Sequence, residues 1–310
     1  MPNSASKVRC AAVVIALLCC TACFAQTSDE QNPLRQLHFR ALGPVGNRAA
    51  AIIGEPGNPL VMYVGAASGG IFKTDDGGNN WRPVFDEQDV AAVGALAMAP
   101  SQHSTIWAGT GEPWLIRPDY PMGDGVYKST DAGKTWQHVG LEDTGHIARI
   151  VVDPQNPDTV LVCAVGQAYK AQHARGIFRT RDGGRNWEQV LYVDDNTGCS
   201  ELAMDARNPQ TLFAGMWQLD IKTWSLNSGG KSSGVYVSHD GGSSWKKISG
   251  HGLPDADHAL GKVAVAIAPS DSNRVYALVQ GATPELYRSA DGGATWRLVN
   301  QSHLPTERSP

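Results

Sequence analysis

The sequence has no large excess of either charge sign and, beyond its N-terminus, no long hydrophobic run. Its 310 residues include 26 lysines and arginines against 30 aspartates and glutamates, which gives a formal net charge of −4. This balance argues against nucleic acid or an anionic membrane surface as the main partner, because both attract strongly basic proteins. No stretch is long and apolar enough for a mature transmembrane helix, so we expect no transmembrane segment.

The sequence also lacks the patterns that mark metal and phosphate sites. Its nine histidines are dispersed, without the paired spacing of a zinc site. No segment has the alternating aspartates of a calcium-binding EF-hand loop. The glycine-rich stretch 65–70 is not followed by a helix that would bind a phosphate, and no segment shows sustained helical periodicity. We therefore expect neither a metal nor a cofactor.

Cysteine is scarce in the part of the chain that is expected to fold. Four of the six cysteines, Cys10, Cys19, Cys20 and Cys23, lie in or next to an N-terminal leader. This leaves Cys163 and Cys199, which either pair in an oxidising compartment or remain as two buried thiols. The sequence leaves both alternatives open.

The N-terminus resembles a signal for export. Lys7 and Arg9 precede a short apolar run at 11–20, and cleavage after Ala25 would follow small residues. Alternatively, the segment that ends at Cys23 loosely resembles a lipoprotein box, with Cys23 as the lipid anchor. The protein is therefore predicted to be exported, either periplasmic or secreted, and the two processing routes remain open.

What the sequence does contain is an internal repeat, which is the first pattern to seek in a chain of this length. An octapeptide with a central Asp and a final Trp occurs five times, at intervals of 55, 51, 58 and 51 residues. The Asp and Trp shared by the five copies are Asp76 and Trp81, Asp131 and Trp136, Asp182 and Trp187, Asp240 and Trp245, and Asp291 and Trp296.

Strand-like runs flank each copy of the octapeptide. Three segments rich in β-branched and aromatic residues precede it and one follows it, with Gly, Pro, Asn and Asp between them. Four strands per repeat of about 50 residues are typical of a propeller blade. The fold class is therefore predicted to be all-β, a β-propeller with five four-stranded antiparallel blades. The predicted boundaries are a signal peptide at 1–25, an N-terminal segment at 26–48 that offers a closing strand, the propeller at 49–304 and a tail at 305–310.

The octapeptide is interpreted as a structural corner. Its aspartate can accept hydrogen bonds from backbone N–H groups of its own turn, and its glycines allow positive φ. The tryptophan can bury its ring between neighbouring blades. Because the second copy has Ala132 in place of the first glycine, we expect that this position does not need positive φ. A feature repeated five times cannot mark a single catalytic site.

The turns of a blade divide between two faces of a propeller. The octapeptides join the third and fourth strands, on the same face as the short turns between the first and second strands. The loops between the second and third strands lie on the opposite face, and three of them are long, at 109–125, 165–176 and 216–234. Because binding residues collect on variable loops carried by a rigid frame, the functional surface is expected on this second face.

The five octapeptides match the BNR or Asp-box repeat of sialidases, xyloglucanases and sortilin-type receptors. Almost the whole mature chain also resembles bacterial exported proteins described as sortilin-like or glycosyl-hydrolase-like. The resemblance rests on 39–48, 65–74, 108–114, 123–136, 146–158 and 252–269. It implies a fold more than an activity. Since proteins of this group are usually longer, the five blades are either a closed propeller or part of a larger one.

The aromatic residues of the long loops and the resemblance leave three functions open, of which the first is favoured. The first is a binding module for a peptide, protein or glycan, with Trp114, Tyr120, Tyr169, Arg149 and Trp217 as ligand-binding residues, although Trp217 is also well placed for the core. The second is a glycoside hydrolase, xyloglucanase-like or sialidase-like, which needs two carboxylates across a cleft. Candidates for these carboxylates are Glu112, Asp124 and Glu201. The third is a truncated propeller without independent activity.

Overall fold

Twenty-one β-strands in five antiparallel sheets form the described part of the chain. The computed structural model describes residues 48–114, 121–281 and 283–301. The predicted signal peptide, the closing strand proposed within 26–48, Tyr120 and the tail at 305–310 lie outside these residues. The described segments include no helix with the length and hydropathy that a bilayer span requires.

Each sheet is one blade, and its strands follow one another in chain order. Blade 1 contains β1 (Ala49–Glu55), β2 (Asn58–Ala66), β3 (Ile71–Thr74) and β4 (Arg82–Pro83). Blade 2 contains β5 (Val93–Ala99), β6 (Gln102–Thr110), β7 (Val126–Ser129) and β8 (Gln137–His138). Blade 3 contains β9 (Ile147–Val152), β10 (Val160–Ala164), β11 (Gly176–Thr180) and β12 (Glu188–Leu191).

The last two blades differ in one addition. Blade 4 contains β13 (Thr197–Met204), β14 (Leu212–Lys222), β15 (Ser225–Ser228), β16 (Gly234–Ser238) and β17 (Lys246–Ile248), and β15 pairs only with the extended end of β14. Blade 5 contains β18 (Val263–Ala268), β19 (Asp271–Val279), β20 (Glu285–Ser289) and β21 (Arg297–Asn300). The prediction of five four-stranded antiparallel blades is confirmed.

The first strand of each blade adjoins the first strand of the next, in the order β1, β5, β9, β13 and β18. These strands are therefore the inner ones. Apolar clusters fill the four junctions between consecutive blades, and each includes the octapeptide tryptophan of the later blade, namely Trp136, Trp187, Trp245 and Trp296. The rings pack between blades as predicted, and their burial is a main source of cohesion.

The outer faces of blades 1 and 5 carry apolar side chains without such a cluster. Ile52 is 66% exposed and Leu60 is 53% exposed on blade 1, while Leu278 and Leu298 are partly exposed on blade 5. Within the described residues, no apolar cluster joins these two blades. Among the described residues, the packing that fills every other junction is thus not found between the first and last blades.

Each Asp-box corner is held by its own aspartate. Asp182 accepts hydrogen bonds from the backbone N–H groups of Arg185 and Asn186, from the Asn186 amide and from the Thr180 hydroxyl. These bonds favour the carboxylate and lower the pKa of Asp182 to about 2. The other four corners repeat this arrangement around Asp76, Asp131, Asp240 and Asp291. The corners are therefore satisfied locally and leave no aspartate free for chemistry.

The expectation about Ala132 is wrong. Ala132 has a φ of 61°, close to the 71°, 76°, 68° and 70° of the glycines at the matching positions of the other corners. The turn requires the left-handed conformation in every copy, and a Cβ there costs about 1–2 kcal/mol. The sequence misled because a tolerated substitution looks the same as a position without a constraint.

A disulfide joins blades 3 and 4. Cys163 on β10 pairs with Cys199 on β13, and both side chains are fully buried. This settles the alternative that the sequence left open in favour of the bond.

Candidate functional site

A cavity of about 220 Å³ opens at the centre of the array, where the inner strands of all five blades meet. We call it the axial cavity. It is lined by the first residues of inner strands and by residues that follow the second strands, such as Trp114 and Gln280. These strand ends belong to the face opposite the Asp-box corners, which is the face expected to be functional.

Four β-bulges shape the axial cavity. Near the start of each inner strand of blades 1 to 4, the pairing register skips one residue, and the skipped residues are Ala50, Gly94, Ala148 and Ser200. All four line the cavity. Bulges bend a strand and re-aim its side chains, and they are frequent beside functional sites.

The residue after each bulge differs between blades. In blades 1 and 2 it is Ala51 and Ala95, whereas in blades 3 and 4 it is Arg149 and Glu201. The two charged side chains thus occupy equivalent positions on neighbouring blades, where the repeat elsewhere has alanine. Of the four residues that follow the bulges, only Arg149 and Glu201 are charged, which makes them the clearest functional candidates of the axial cavity.

Arg149 and Glu201 form a bidentate ion pair. The Arg149 Nε atom lies 2.5 Å from Glu201 Oε1, and a terminal guanidinium nitrogen lies 2.8 Å from Oε2. These hydrogen bonds raise the pKa of Arg149 above its usual value. The backbone N–H of Leu202 also donates to Oε1, so the Glu201 carboxylate is largely occupied as an acceptor.

Lys262 is a third charged residue of the axial cavity, and sequence reasoning did not single it out. Its Nζ lies 4.9 Å from the centre of the Trp217 ring, in cation–π geometry. Burial lowers the pKa of Lys262 to about 8, which the negative charge of Glu201 partly opposes. In the sequence, Lys262 simply precedes the alternating strand β18, so nothing distinguished it from an ordinary solvated lysine.

The predicted aromatic residues occupy different environments. Trp114 lines the axial cavity and is 37% exposed. Tyr169 is 47% exposed on the 165–176 loop, outside the cavity lining. Trp217 is fully buried and donates its Nε1–H to Ser228, so it supports Lys262 from beneath. The most exposed ring is that of Trp224, at 82%, in the turn between β14 and β15.

The three nominated carboxylates do not come together. Glu112 is buried and accepts two hydrogen bonds from Arg48. Asp124 accepts hydrogen bonds from the hydroxyl groups of Tyr127 and Thr110. Of the three, only Glu201 lines the axial cavity, and the described residues add no second carboxylate to that lining. The cavity alone therefore lacks the carboxylate pair of a glycosidase.

A buried guanidinium holds the 165–176 loop beside the cavity. Arg175 is 1% exposed and donates hydrogen bonds to the carbonyl oxygens of Val165, Gln167, Lys170 and Asn196. Burial lowers the pKa of Arg175 to about 10. Sequence reasoning missed this role, because an arginine inside a long polar loop carries no pattern.

Comparison with known proteins gives a consistent family. The Sortilin-Vps10 family model, described as sortilin, neurotensin receptor 3, matches residues 69–216 and 124–251, which together span more than half of the chain. The chain is 22% identical to a probable oligoxyloglucan-reducing end-specific xyloglucanase of Neosartorya fischeri, over 94% of this chain and 44% of that protein. It is 24% identical to a xyloglucanase of a Paenibacillus species, over 70% of this chain and 23% of that protein.

Solved structures show the same fold. An ancestral GH74 enzyme superposes with a TM-score of 0.62 and 18% identity, over 84% of this chain and 33% of that chain. A GH74 enzyme of Niastella koreensis superposes with a TM-score of 0.61 and 21% identity, over 81% and 38% of the two chains. The chain thus spans less than half the length of these relatives.

Proposed function

Because the chain belongs to the Sortilin-Vps10 family of Asp-box β-propellers, we propose that it acts on a glycan, which it holds in the axial cavity. The observation that carries this proposal is the composition of the cavity. An exposed indole, that of Trp114, stands beside the charged and hydrogen-bonding groups of Arg149, Glu201 and Gln280. A flat amphipathic ring with a few convergent polar groups suits a sugar, which has both apolar and hydroxyl-bearing surfaces.

The relatives favour a glycan over a peptide as the ligand. The relatives and solved structures reported above are named as xyloglucanases or GH74 enzymes, whereas the description of the family model refers to a neurotensin receptor. They support the glycoside-hydrolase alternative better than the free-standing binding module that the sequence favoured first. A xyloglucan-type oligosaccharide is therefore the first probe to use.

Glycoside hydrolysis is the second candidate function, and the xyloglucanase matches favour it. The reaction needs a carboxylic acid and a second carboxylate on opposite sides of the bond that is cleaved. Glu201 supplies one carboxylate at the cavity. The other would come from residues outside the described lining, so binding without turnover is the minimum that this cavity explains.

The test combines binding and turnover on the same samples. We would titrate the purified mature protein with xyloglucan oligosaccharides by calorimetry and follow new reducing ends. The Trp114→Ala variant should bind about ten-fold more weakly, as expected for loss of an aromatic contact at the centre of a site. Glu201→Gln should keep binding but lose any turnover.

Trp224→Ala is the matched control, because it removes an exposed indole outside the cavity lining. Its affinity should stay within about two-fold of the parent, as is usual for peripheral contacts. A loss in Trp224→Ala with unchanged binding by Trp114→Ala would move the site to the β14–β15 hairpin. No binding by any form would contradict the glycan proposal.

We also propose that the protein is exported. The disulfide between Cys163 and Cys199 supports this, because such bonds persist in oxidising compartments. The predicted leader at 1–25 and the lipid anchor at Cys23 lie outside the described residues. Substituting Cys23 with Ser and following processing and membrane partition distinguishes the two routes: lipoprotein processing fails in this variant, whereas cleavage after Ala25 continues.

A further inference from the structure

Lys262 lines the axial cavity, and no carboxylate of the described residues forms an ion pair with its ammonium group. Its contact is the face of the Trp217 ring, 4.9 Å from Nζ to the ring centre. No aspartate or glutamate of the described residues forms an ion pair with it. The Lys262 side chain is half-buried, and a cation partly removed from water usually has a charged partner, because burial of an unpaired charge is costly.

The neighbouring charges do not supply this partner. Glu201 is already bound by the guanidinium of Arg149 through both carboxylate oxygens, and by the backbone N–H of Leu202. Since the charges of Arg149 and Glu201 cancel, the three ionisable residues of the described lining leave one net positive charge. Burial lowers the pKa of Lys262 to about 8, so the group is still mostly protonated at neutral pH.

The Trp217 ring fixes the position of this charge. Its Nε1–H donates to the Ser228 hydroxyl, which in turn donates to the side-chain oxygen of Gln280. The same Gln280 oxygen accepts the backbone N–H of Lys262. A chain of hydrogen bonds through Gln280 thus connects the ring under the ammonium with the backbone that carries Lys262.

We infer that Lys262, beside the Arg149–Glu201 pair, forms an anion subsite that takes a sugar with a single carboxylate, such as a hexuronate. This inference rests on the proposed function and narrows it from glycans in general to acidic glycans. One carboxylate cancels the one unbalanced charge, and a charge-assisted hydrogen bond to it is stronger than one to a sugar hydroxyl. A neutral sugar would leave the ammonium unbalanced.

The experiment compares three probes by calorimetry at pH 7. They are a xylo-oligosaccharide that bears one glucuronic acid, the methyl ester of the same compound, and a neutral xyloglucan oligosaccharide. The acid should bind about ten-fold more tightly than its ester, which has the same size without the charge. Lys262→Met, which keeps the apolar stem, should abolish this difference, and Lys262→Arg should restore much of it.

Lys246→Met is the control variant, since Lys246 is an exposed residue of the outer strand β17. It should keep the full preference for the acid. Equal affinity of the parent protein for acid and ester overturns the inference, and so does binding of the neutral probe alone, although the proposed function then stands. Absence of binding by all three probes contradicts the proposed function itself. If Lys262→Met does not fold, the acid and ester on the parent protein decide the question.

Discussion

The five Asp-box corners form a rim, which lies at the opposite end of the strands from the axial cavity. The blades repeat the same hydrogen bonds at this Asp-box rim but place different residues at the cavity. At the rim, every blade repeats one set of hydrogen bonds around an aspartate. At the cavity, equivalent positions after the bulges hold Ala51, Ala95, Arg149 and Glu201. In a propeller, residues that recur in every blade stabilise each blade. Only residues that differ between blades can form a site at one particular place.

The largest expected effect is a loss of stability when a tryptophan buried between two blades is removed. Trp107 is fully buried at the junction of blades 2 and 3, where it meets the box residue Trp187 edge to face. Trp107→Ala should cost about 3–5 kcal/mol of unfolding free energy, because a large cavity remains. Trp114→Ala, in the axial cavity, should change stability by no more than about 0.5 kcal/mol.

Denaturant unfolding of both tryptophan variants measures this difference directly. Their effects on glycan affinity should be reversed, with Trp114→Ala weakened and Trp107→Ala close to the parent while folded. Equal destabilisation by the two substitutions would contradict the division between frame and cavity.

Loss of the disulfide should have an effect of intermediate size on stability, because the bond joins two blades close to the axial cavity. Cys163 on β10 pairs in register with Arg149 on β9, and Cys199 precedes Glu201 by two residues on β13, so the bond links the strand of Glu201 to the neighbour of the strand of Arg149. Replacing both cysteines with alanine should cost about 2–4 kcal/mol. Thermal unfolding with and without a thiol reductant provides the measurement. The reductant should lower the midpoint of the parent protein and leave that of the double variant unchanged; an insensitive parent would show that the bond contributes little.

The smallest expected effect is a change in stability at one of the Asp-box corners. Ala132→Gly removes a Cβ from a left-handed position and should stabilise the protein by about 0.5 kcal/mol, after allowance for the greater freedom of unfolded glycine. Ala97→Gly, at a position of β5 where the pairing with β6 is uninterrupted, is the matched control and should destabilise by about 0.5–1 kcal/mol. Both values come from chemical denaturation. Destabilisation by both substitutions would mean that the corner does not strain Ala132.

The fold was predictable because its signals are local and repeated. The octapeptides, the alternating strands and the tryptophans recur five times, so each copy supports the interpretation of the others. The short outer strands β4 and β8, of two residues each, were indicated only by their position after a box. Ala132 shows the limit, since one sequence does not separate a tolerated cost from a missing constraint.

The site was predictable only in part, because it depends on which blades face each other. Trp114, Arg149 and Glu201 were nominated separately and lie in one cavity, whereas Glu112 and Asp124 are bound elsewhere by Arg48, Tyr127 and Thr110. Lys262 was missed because its significance comes from Trp217 beneath it and from the lack of an ion-pair partner among the described residues. Neither relationship is visible in the order of residues.

The guanidinium of Arg175 has a consequence for how this protein can diversify. It binds four main-chain oxygens of the 165–176 loop and its neighbour, so the path of the loop depends on one interior cation rather than on the outward side chains. Outward residues such as Tyr169 can therefore be exchanged while the loop keeps its shape. The outward side chains of such a loop can be redesigned, or can change during evolution, while its backbone conformation is kept.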